Sequence, residues 1–314
     1  MTTTMMVRAL ALGAAALAVP AQGADRQTVC VGRVHMDLPA EFAQIEPITM
    51  TLTPEQSDRE EAAMEVEVHM KPLNADEFKQ KVAQRQAKPS EGSASVKMIR
   101  SEAQRIVFRT VEGKDYFTNE MHLLKNGVYL VSKIVTASDQ FKRGDAYHAD
   151  LIRNLEPWSA AAKPGAYCLG PLLVRGKYAR EYADWRFVSK KFSDLSFGVH
   201  LDSIPAAHNT SMLDIMGAMG GMVKTNVLRK GSVKLAGMPA QEYLSTMMRG
   251  ERKQFSFLGT TLPRETTATM PIIQLSMGSS HRQPEAGENF SALSDAQAVA
   301  LWDAVMPTLR LAPQ

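Results

Sequence analysis

The chain has 314 residues, of which 45% are hydrophobic and 22% are charged, proportions that are typical of a globular protein. They exclude a disordered chain and a multi-span membrane protein, and the formal net charge of +3 is too small for a strongly basic nucleic-acid binder. The two cysteines exclude a disulfide-dense miniprotein and a zinc site built from four thiolates. No nucleic-acid partner is therefore expected.

Residues 1–23 have the pattern of a secretory signal peptide. Arg8 is the only charged residue, Ala9–Val19 form an apolar run, and Ala21-Gln22-Gly23 place small residues where a signal peptidase cleaves. The apolar run has about eleven residues, whereas a membrane span needs about 20. The mature chain is expected to begin near Ala24. We expect export, without membrane insertion, to an oxidising compartment, most simply a bacterial periplasm.

The two cysteines lie far apart in the chain. Cys30 lies in the first apolar strand and Cys168 lies just past the middle. Cysteines in an oxidising compartment are expected to pair, and a bridge over such a long loop contributes about 4 to 5 kcal/mol in the loop-entropy model. Because the sequence has no Cys-x-x-Cys motif to activate a thiol, a structural disulfide is favoured over a redox pair.

A small-residue segment divides the mature chain into two nearly equal parts. Residues 159–165 are Ser-Ala-Ala-Ala-Lys-Pro-Gly and end in a strong break signal. The segment predicts an N-terminal domain over 24–163 and a C-terminal domain over 164–314. The two parts resemble copies of one pattern, since Gly32–Ala40 is similar to Gly198–Ala206, and both are apolar strands stopped by proline.

The first part combines helices with four clear strands. Asn74 predicts the start of a helix over Ala75–Lys88, and Asn126-Gly127 is a strong hairpin signal. A second helix is predicted over Tyr147–Leu155. The predicted strands are Val96–Arg100, Arg105–Val111, Asp115–Lys125 and Val128–Ala137.

The second part repeats this order. A helix is predicted from Thr210 or Ser211 to about Lys224, and a last helix over Asp295–Leu309 with Ser294 as its N-cap. The predicted strands are Val227–Leu235, Met238–Met248, Lys253–Phe257 and Ile272–Met277. The fold class is therefore α+β, with two similar domains, each an antiparallel sheet with helices packed on one face.

The sequence carries no recognisable catalytic motif in the structural context that such a motif requires. It has no nucleophile elbow, Walker loop or dinucleotide fingerprint, and its seven histidines form no helical pair with metal-ligand spacing. Neither a metal nor a cofactor is expected. Ser279, Ser280 and His281 place hydroxyls beside an imidazole, but neighbouring strand residues point to opposite faces, so a hydrolase is a weak alternative.

One candidate partner-binding feature is a methionine-rich helix. Met212, Met216, Met219 and Met222 recur at helical spacing. They form one face, which either packs in the core or presents flexible thioethers to a partner. Met216 and Met219 are the candidate contact residues.

Two further candidate features are charged. Glu60 and Glu61 belong to an acidic stretch that forms either a solvated face or a site for a basic partner. Arg249, Arg252 and Phe255 belong to a hairpin that is either a plain charged turn or a set of interface anchors, since Arg and aromatic residues are common at hot spots.

Three sequence segments resemble a known family. Cys30–Pro39 has the pattern C-V-G-R-x-x-x-D-L-P, residues 167–171 are Tyr-Cys-Leu-Gly-Pro, and Gly176–Glu181 follow shortly after. With the signal peptide and the two-part layout, these motifs resemble the type VI secretion immunity proteins that neutralise the class-four Tle phospholipase effectors. The likeness in layout covers most of the mature chain, and the likeness in motif covers these segments.

The resemblance implies a periplasmic inhibitor without chemistry of its own. In that family two domains grip a cognate lipase effector in a one-to-one complex and prevent its active-site cover from opening, and the matched residues are structural. The alternative from another class is a periplasmic lipid- or small-ligand-binding module, with the methionine-rich helix lining a pocket.

Overall fold

The computed structural model describes fourteen stretches of the chain. They are residues 25–45, 47–54, 63–87, 96–112, 114–138, 141–158, 165–176, 178–204, 211–215, 225–250, 252–263, 266–267, 270–279 and 290–312. Among the described residues no helix is long and apolar enough to cross a membrane. The predicted signal peptide lies outside the described residues.

Over the residues that the structure describes, the first half of the chain, called here the first repeat, contains ten strands and two helices. In chain order they are β1 (Arg26–Val31), β2 (Val34–Pro39), β3 (Phe42–Gln44), β4 (Ile48–Pro54), β5 (Met64–His69), α1 (Ala75–Ala87), β6 (Val96–Glu102), β7 (Arg105–Glu112), β8 (Tyr116–Lys125), β9 (Val128–Ala137), α2 (Phe141–Asn154) and β10 (Leu155–Pro157).

Among its described residues, the second half, called the second repeat, contains nine strands, one long helix and two helical turns. They are β11 (Ala166–Leu169), β12 (Leu172–Arg175), β13 (Tyr178–Ser189), β14 (Leu195–Asp202), a turn at residues 212–215, β15 (Asn226–Leu235), β16 (Met238–Arg249), β17 (Arg252–Thr261), β18 (Ile272–Ser279), α3 (Asp295–Val305), a 3-10 turn (Met306–Thr308) and β19 (Arg310–Leu311).

One antiparallel sheet of 13 strands runs through both repeats. Its order is β15-β16-β17-β18-β14-β13-β4-β5-β9-β8-β7-β6, with β3 pairing off this path to β13. Read outward from the central β13–β4 pair, the second repeat follows the order 13-14-18-17-16-15 and the first repeat the order 4-5-9-8-7-6. Strand by strand these orders are the same, so the predicted internal duplication is confirmed by the topology.

Each of two small sheets combines strands of both repeats. The hairpin β1-β2 pairs with β19, the last strand of the chain, whereas the hairpin β11-β12 pairs with β10, the last strand of the first repeat. Each repeat therefore gives its final strand to the opening hairpin of the other. The predicted boundary between residues 163 and 164 falls between β10 and β11, and independent domains on its two sides stay a prediction.

The predicted equivalence of Gly32–Ala40 and Gly198–Ala206 is wrong. The first segment forms β2 in a small sheet, whereas the second lies largely in β14 of the large sheet. The counterpart of β2 is β12, as the topology places it. The error arose because any short apolar strand that ends at proline has the same local pattern, whichever sheet it joins.

The helices of the first repeat lie on opposite faces of the sheet, which corrects the expectation that they share one face. On β9, Leu130 packs in the main core with Leu151 of α2, whereas Tyr129 and Val131 pack in a second cluster with Phe78 of α1. Alternate strand residues point to opposite faces. We call the α1 side the outer face and the side of α2 and α3, where the main core lies, the inner face.

Helix capping follows the sequence closely. The Asn74 side chain accepts hydrogen bonds from the backbone N–H groups of Asp76 and Glu77, and Ser294 forms a capping box with Gln297 at the start of α3. Both caps confirm the predicted helix starts. Helix α2, in contrast, begins at Phe141, six residues before the prediction at Tyr147.

Candidate functional site: a surface held by a buried hub

The two matched sequence motifs meet at the junction of the repeats. Cys30 and Cys168 form a disulfide with a Cα–Cα distance of 5.8 Å, so the predicted pairing is confirmed. Next to it, Gly32 and Cys168 exchange two backbone hydrogen bonds of 3.3 and 2.8 Å. Because β1 and β11 are equivalent strands, the disulfide joins the same position of the two repeats.

Two equivalent glycines turn the opening hairpins. Gly32 has φ +56° and Gly170 has φ +63°, a conformation that side chains disfavour. A Cβ would lie 2.6 Å from Leu201 Cδ2 at the first site and 2.5 Å from Met70 Sδ at the second. The motif glycines are therefore required by backbone conformation and close packing.

A buried contact between an arginine and a glutamic acid lies beside the disulfide. Arg33 Nε is 2.7 Å from Glu181 Oε1, and the Glu181 side chain is 1% exposed. The Arg33 guanidinium stacks 4.3 Å from the centre of the Tyr167 ring and donates a hydrogen bond to its hydroxyl. Burial raises the pKa of Glu181 to about 8, against the opposing effect of Arg33. Arg33, Tyr167 and Glu181 all belong to the matched motifs, and they form what we call the hub.

Asp37, also a motif residue, ties the amino-terminal hairpin to the end of the chain. Its carboxylate accepts a hydrogen bond of 2.8 Å from Thr28 and lies 3.2 Å from Arg310 Nη2. Its backbone N–H donates to the Thr308 hydroxyl at 2.9 Å. The expectation that the matched residues are structural therefore agrees with every one of these contacts.

The outer face of the first repeat carries a polar network beneath α1. Arg85 of α1 makes hydrogen bonds of 2.8 to 3.0 Å with both Glu120 oxygens. His122 Nε2 is 2.8 Å from Glu120, and its Nδ1 is 2.7 Å from the Tyr129 hydroxyl. Burial raises the pKa of Glu120, but hydrogen bonds from His122 and Arg85 outweigh it and lower the pKa to about 2. The network holds α1 against the sheet.

The outer face of the second repeat contains a groove of about 410 Å³. Its floor is made by small residues of β14, β17 and β18, and Asp184 and Arg186 of β13 are exposed along one wall. The Arg186 Nε donates a hydrogen bond of 3.0 Å to the Ser196 hydroxyl.

Exposed apolar side chains gather at one end of the second repeat. Tyr182 pairs across the sheet with Asp202, which pairs with Ile272. Exposed Ile204 and Met270 lie two residues beyond these positions.

Two more exposed side chains lie at the same end. Leu262 follows Thr261, whose hydroxyl accepts a hydrogen bond from Ile273 N–H. Ile215 belongs to the helical turn that bonds to the Gln241 amide oxygen. We call the five residues Tyr182, Ile204, Ile215, Leu262 and Met270 the apolar end. Large apolar side chains left exposed at one end of a fold are candidates for a protein-interaction surface.

The candidate residues in the predicted hairpin have different environments. Arg249 ends β16, opposite Arg252 at the start of β17. The Arg252 guanidinium stacks 3.8 Å from the centre of the Phe290 ring and lies 4.0 Å from Asp194. Phe255 is 3% exposed and packs in the main core, below the groove, so its side chain is not on the surface.

The remaining candidates lie outside the described residues. These are Glu60, Glu61, Met216 and Met219, and their contacts with a partner stay predictions. For the weak hydrolase alternative, Ser280 and His281 also lie outside the described residues. The third residue of that alternative, Ser279, accepts a hydrogen bond of 2.9 Å at its hydroxyl from the Phe255 backbone N–H. Among the described residues no cluster of His, Cys, Asp and Glu could hold a metal ion.

Sequence reasoning missed the hub and the apolar end as sites. The hub had a visible signal, since Arg33 and Glu181 are charged residues within the motifs that carry the family resemblance. The apolar end had none, because Tyr182, Leu262 and Met270 come together only through strand pairing across the sheet.

Comparison with known proteins agrees with this architecture. Residues 162–314 match the family model of the Tle cognate immunity protein 4 C-terminal domain. The fold is similar to the apo structure of the type VI secretion immunity protein TplEi from Pseudomonas aeruginosa, with a TM-score of 0.68 and 17% identity over 92% of this chain and 98% of that chain. No curated protein sequence matches the chain.

Two other solved structures are similar to the same extent. The Tle4-Tli4 complex matches with a TM-score of 0.67 and 17% identity over 92% of this chain and 98% of that chain. TplEi complexed with "L" peptide matches with a TM-score of 0.66 and 16% identity over 92% and 99%. The C-terminal part of the chain, residues 162–314, therefore belongs to the family of the Tle cognate immunity protein 4 C-terminal domain. Along 92% of its length the chain shares its fold with TplEi and with the matched chain of the Tle4-Tli4 complex.

Proposed function

We propose that the protein is a periplasmic immunity protein that binds and inhibits a class-four Tle phospholipase effector, protecting the producing cell, and that it catalyses no reaction itself. The observation that carries the proposal is the family match over residues 162–314, together with a fold shared along 92% of the chain with TplEi and with the Tle4-Tli4 complex. The predicted signal peptide and the Cys30–Cys168 disulfide support export.

The architecture supports inhibition by a grip of two repeats. The disulfide, the hub and the β4–β13 pairing fix the angle between the repeats. An inhibitor that binds only the closed effector shifts the effector population toward that state. A rigid pair of surfaces suits this role, because less conformational entropy is lost on binding.

Within this grip, we assign the contact of the second repeat to the apolar end. Its five side chains are exposed although they are large and apolar, and stable interfaces bury about 1,600 Å² in total around apolar anchors. The competing contact is the hairpin with Arg249 and Arg252, which lies at the opposite end of β16 and β17.

The test measures the phospholipase activity of a Tle4-class effector against increasing concentrations of the purified mature protein. Wild-type protein is expected to abolish activity at one equivalent. The double variant Leu262→Ser/Met270→Ser is expected to bind at least about tenfold more weakly, or about 1.4 kcal/mol. Met248→Ser is the matched control, because Met248 is 61% exposed but lies at the hairpin end.

Each arm has a distinct negative outcome. Wild-type protein that neither binds nor inhibits the effector overturns the proposed function. A loss of affinity in Met248→Ser or Arg252→Ala, with none in the double variant, moves the contact to the hairpin. Of the methionine-rich segment on which the ligand-binding alternative depends, residues 216–224 lie outside the described residues.

A further inference from the structure

The apolar end takes its five side chains from the same end of five neighbouring strands, which follow the order β13-β14-β18-β17-β16. Four of the side chains lie in the first four strands or within two residues of their ends, and the fifth lies in the helical turn that bonds to β16. In strand order they are Tyr182, Ile204, Met270, Leu262 and Ile215. Segments beyond the ends of strands are more mobile than the strands themselves, so the contacts that fix their backbone decide the shape of this surface.

A buried serine fixes the backbone beside the first two side chains. The pairing of β13 with β14 ends at Tyr182 and Asp202, and Ser203, which is 1% exposed, lies one residue further. Its hydroxyl accepts a hydrogen bond of 2.7 Å from the Glu181 N–H and donates one of 3.4 Å to the Glu181 carbonyl. Since Glu181 directly precedes Tyr182, and Ile204 directly follows the serine, one hydroxyl ties together the segments that carry both apolar residues.

A buried threonine has the same role for the next two side chains. Thr261, which is 2% exposed, lies one residue beyond the last residue of β17 that pairs with β18. Its hydroxyl accepts a hydrogen bond of 2.8 Å from the Ile273 N–H and donates one of 3.2 Å to the Pro271 carbonyl. Leu262 directly follows the threonine, and Met270 directly precedes the proline, so this hydroxyl also ties two apolar residues to each other.

A glutamine ties the fifth side chain to the sheet. The Gln241 Oε1 atom of β16 accepts hydrogen bonds of 2.8 Å from the Ser211 hydroxyl and 3.2 Å from the Leu213 N–H. Because a backbone N–H can only donate, the amide atom that faces the turn is the oxygen. The Ile215 N–H donates to the Ser211 carbonyl at 3.2 Å, which closes the turn. Gln241 therefore holds the turn that carries Ile215 against β16.

The two buried hydroxyls are not needed to fill space. At Thr261 a valine would have nearly the same shape without the cost of removing a hydroxyl from water. That cost is offset only when the hydroxyl makes hydrogen bonds, and here the bonds run to the backbone beside the apolar end. The hydrogen bonds of Ser203 and Thr261 therefore fix the surface above them.

We propose that Ser203, Gln241 and Thr261 are positioning residues of the effector contact. Without touching the effector, they hold the five apolar side chains in the arrangement that binds it. The inference rests on the proposed function and adds to it residues that act only through the apolar end. A surface that is fixed in advance loses less conformational entropy on binding, so removing these bonds weakens binding although every apolar side chain is retained.

The test is the inhibition titration of a Tle4-class effector with the full mature, oxidised protein, and Thr261 offers a matched pair of variants. Thr261→Val keeps the shape and removes the hydroxyl, and it is expected to weaken inhibition about tenfold. Thr261→Ser keeps the hydroxyl and removes the methyl group, and it is expected to recover inhibition to within about twofold of the wild type. Ser203→Ala and Gln241→Met are each expected to weaken inhibition at least about threefold.

A control removes a comparable hydroxyl far from the apolar end. Ser245 of β16 is 2% exposed, and its hydroxyl donates a hydrogen bond of 3.3 Å to the Ser256 carbonyl. Ser245→Ala should retain wild-type inhibition. Every variant is titrated at a temperature at which its own unfolding curve shows it to be folded, so a loss of inhibition reports on the surface.

A double-mutant cycle separates positioning from a general loss of structure. In the Leu262→Ser/Met270→Ser background, Thr261→Val should weaken inhibition by less than about twofold, because the side chains that it positions are absent. Three results overturn the inference: wild-type inhibition by Thr261→Val, an equal loss in Thr261→Ser, or a tenfold loss that persists in the double-variant background. All three leave the proposed function intact, whereas wild-type protein that fails to inhibit overturns the proposed function and this inference with it.

Discussion

Replacing Arg33 by methionine tests whether the hub joins the repeats through a buried charge. The substitution removes the cation 2.7 Å from Glu181, a carboxyl that is 1% exposed, and also the stack on Tyr167. Removing one partner of a buried pair commonly costs about 3 to 5 kcal/mol, because the other charge stays buried alone. The expected loss depends on whether Glu181 is ionised.

The pKa of Glu181 determines how the loss of unfolding free energy in Arg33→Met changes with pH. Burial raises it in the folded protein to about 8 from an ordinary 4.5, although Arg33 opposes this. The stabilisation from Glu181 is therefore complete below pH 4.5 and is lost as pH rises toward 8. Without Arg33 the pKa rises further, and each added unit costs about 1.4 kcal/mol once the wild-type carboxyl is ionised. We expect Arg33→Met to cost about 1 kcal/mol at pH 6, mainly from lost stacking, and about 3 to 4 kcal/mol at pH 9.

The assay is urea unfolding of the oxidised protein at both pH values, with Glu181→Gln as the background control. In the Glu181→Gln protein, Arg33→Met should cost the same at pH 6 and pH 9. Equal losses at the two pH values in the native background would refute the reasoning, since they would show that Glu181 does not change its ionisation between them.

Three further predictions concern the fold. The variant Cys30→Ala/Cys168→Ala, which opens a link over 138 residues, should lose about 5 kcal/mol of unfolding free energy in the loop-entropy model. A loss equal to that of the reduced wild type would agree with this expectation, whereas an unchanged unfolding free energy would contradict it. Burial raises the pKa of Glu120, but hydrogen bonds outweigh this and lower it to about 2. The unfolding free energy should therefore fall by about 3 kcal/mol as pH drops from 4.5 toward 2. In unfolding curves, Glu120→Gln should lack this loss of stability at acid pH. Asn74→Ala should cost about 1 kcal/mol in thermal unfolding through the lost cap of α1, whereas an unchanged midpoint would show that the cap is redundant.

Local signals predicted the elements well where each element was bounded by its own chemistry. Asn74 and Ser294 marked helix starts, and Asn126-Gly127 marked a hairpin whose residues have φ of 54° and 79°. The start of α2 was misplaced because Gly144 lowers helix propensity. In the structure a Cβ at this position would lie 2.5 Å from Asn119 Nδ2, so close packing explains the glycine.

The longest missed strand shows a different limit. β13 alternates buried and exposed residues over much of its length, with Ala183, Trp185 and Phe187 all pointing inward, so its pattern was available. The sequence did not indicate which strand β13 pairs with. Nothing local in β13 indicates that it pairs with β4 of the other repeat, just as nothing in β19 indicates that it joins β2, because both depend on contacts between distant segments.

Exchange of the final strands explains why the shared motifs lie where they do. A repeat that gives its last strand to the other repeat has no closed small sheet of its own, so the two opening hairpins must lie side by side for either to be completed. Cys30, Gly32 and Arg33 lie at that meeting point, and Cys168 and Glu181 face them from the other repeat. The motif residues thus maintain the duplicated frame, which leaves positions away from this junction free to differ between the repeats.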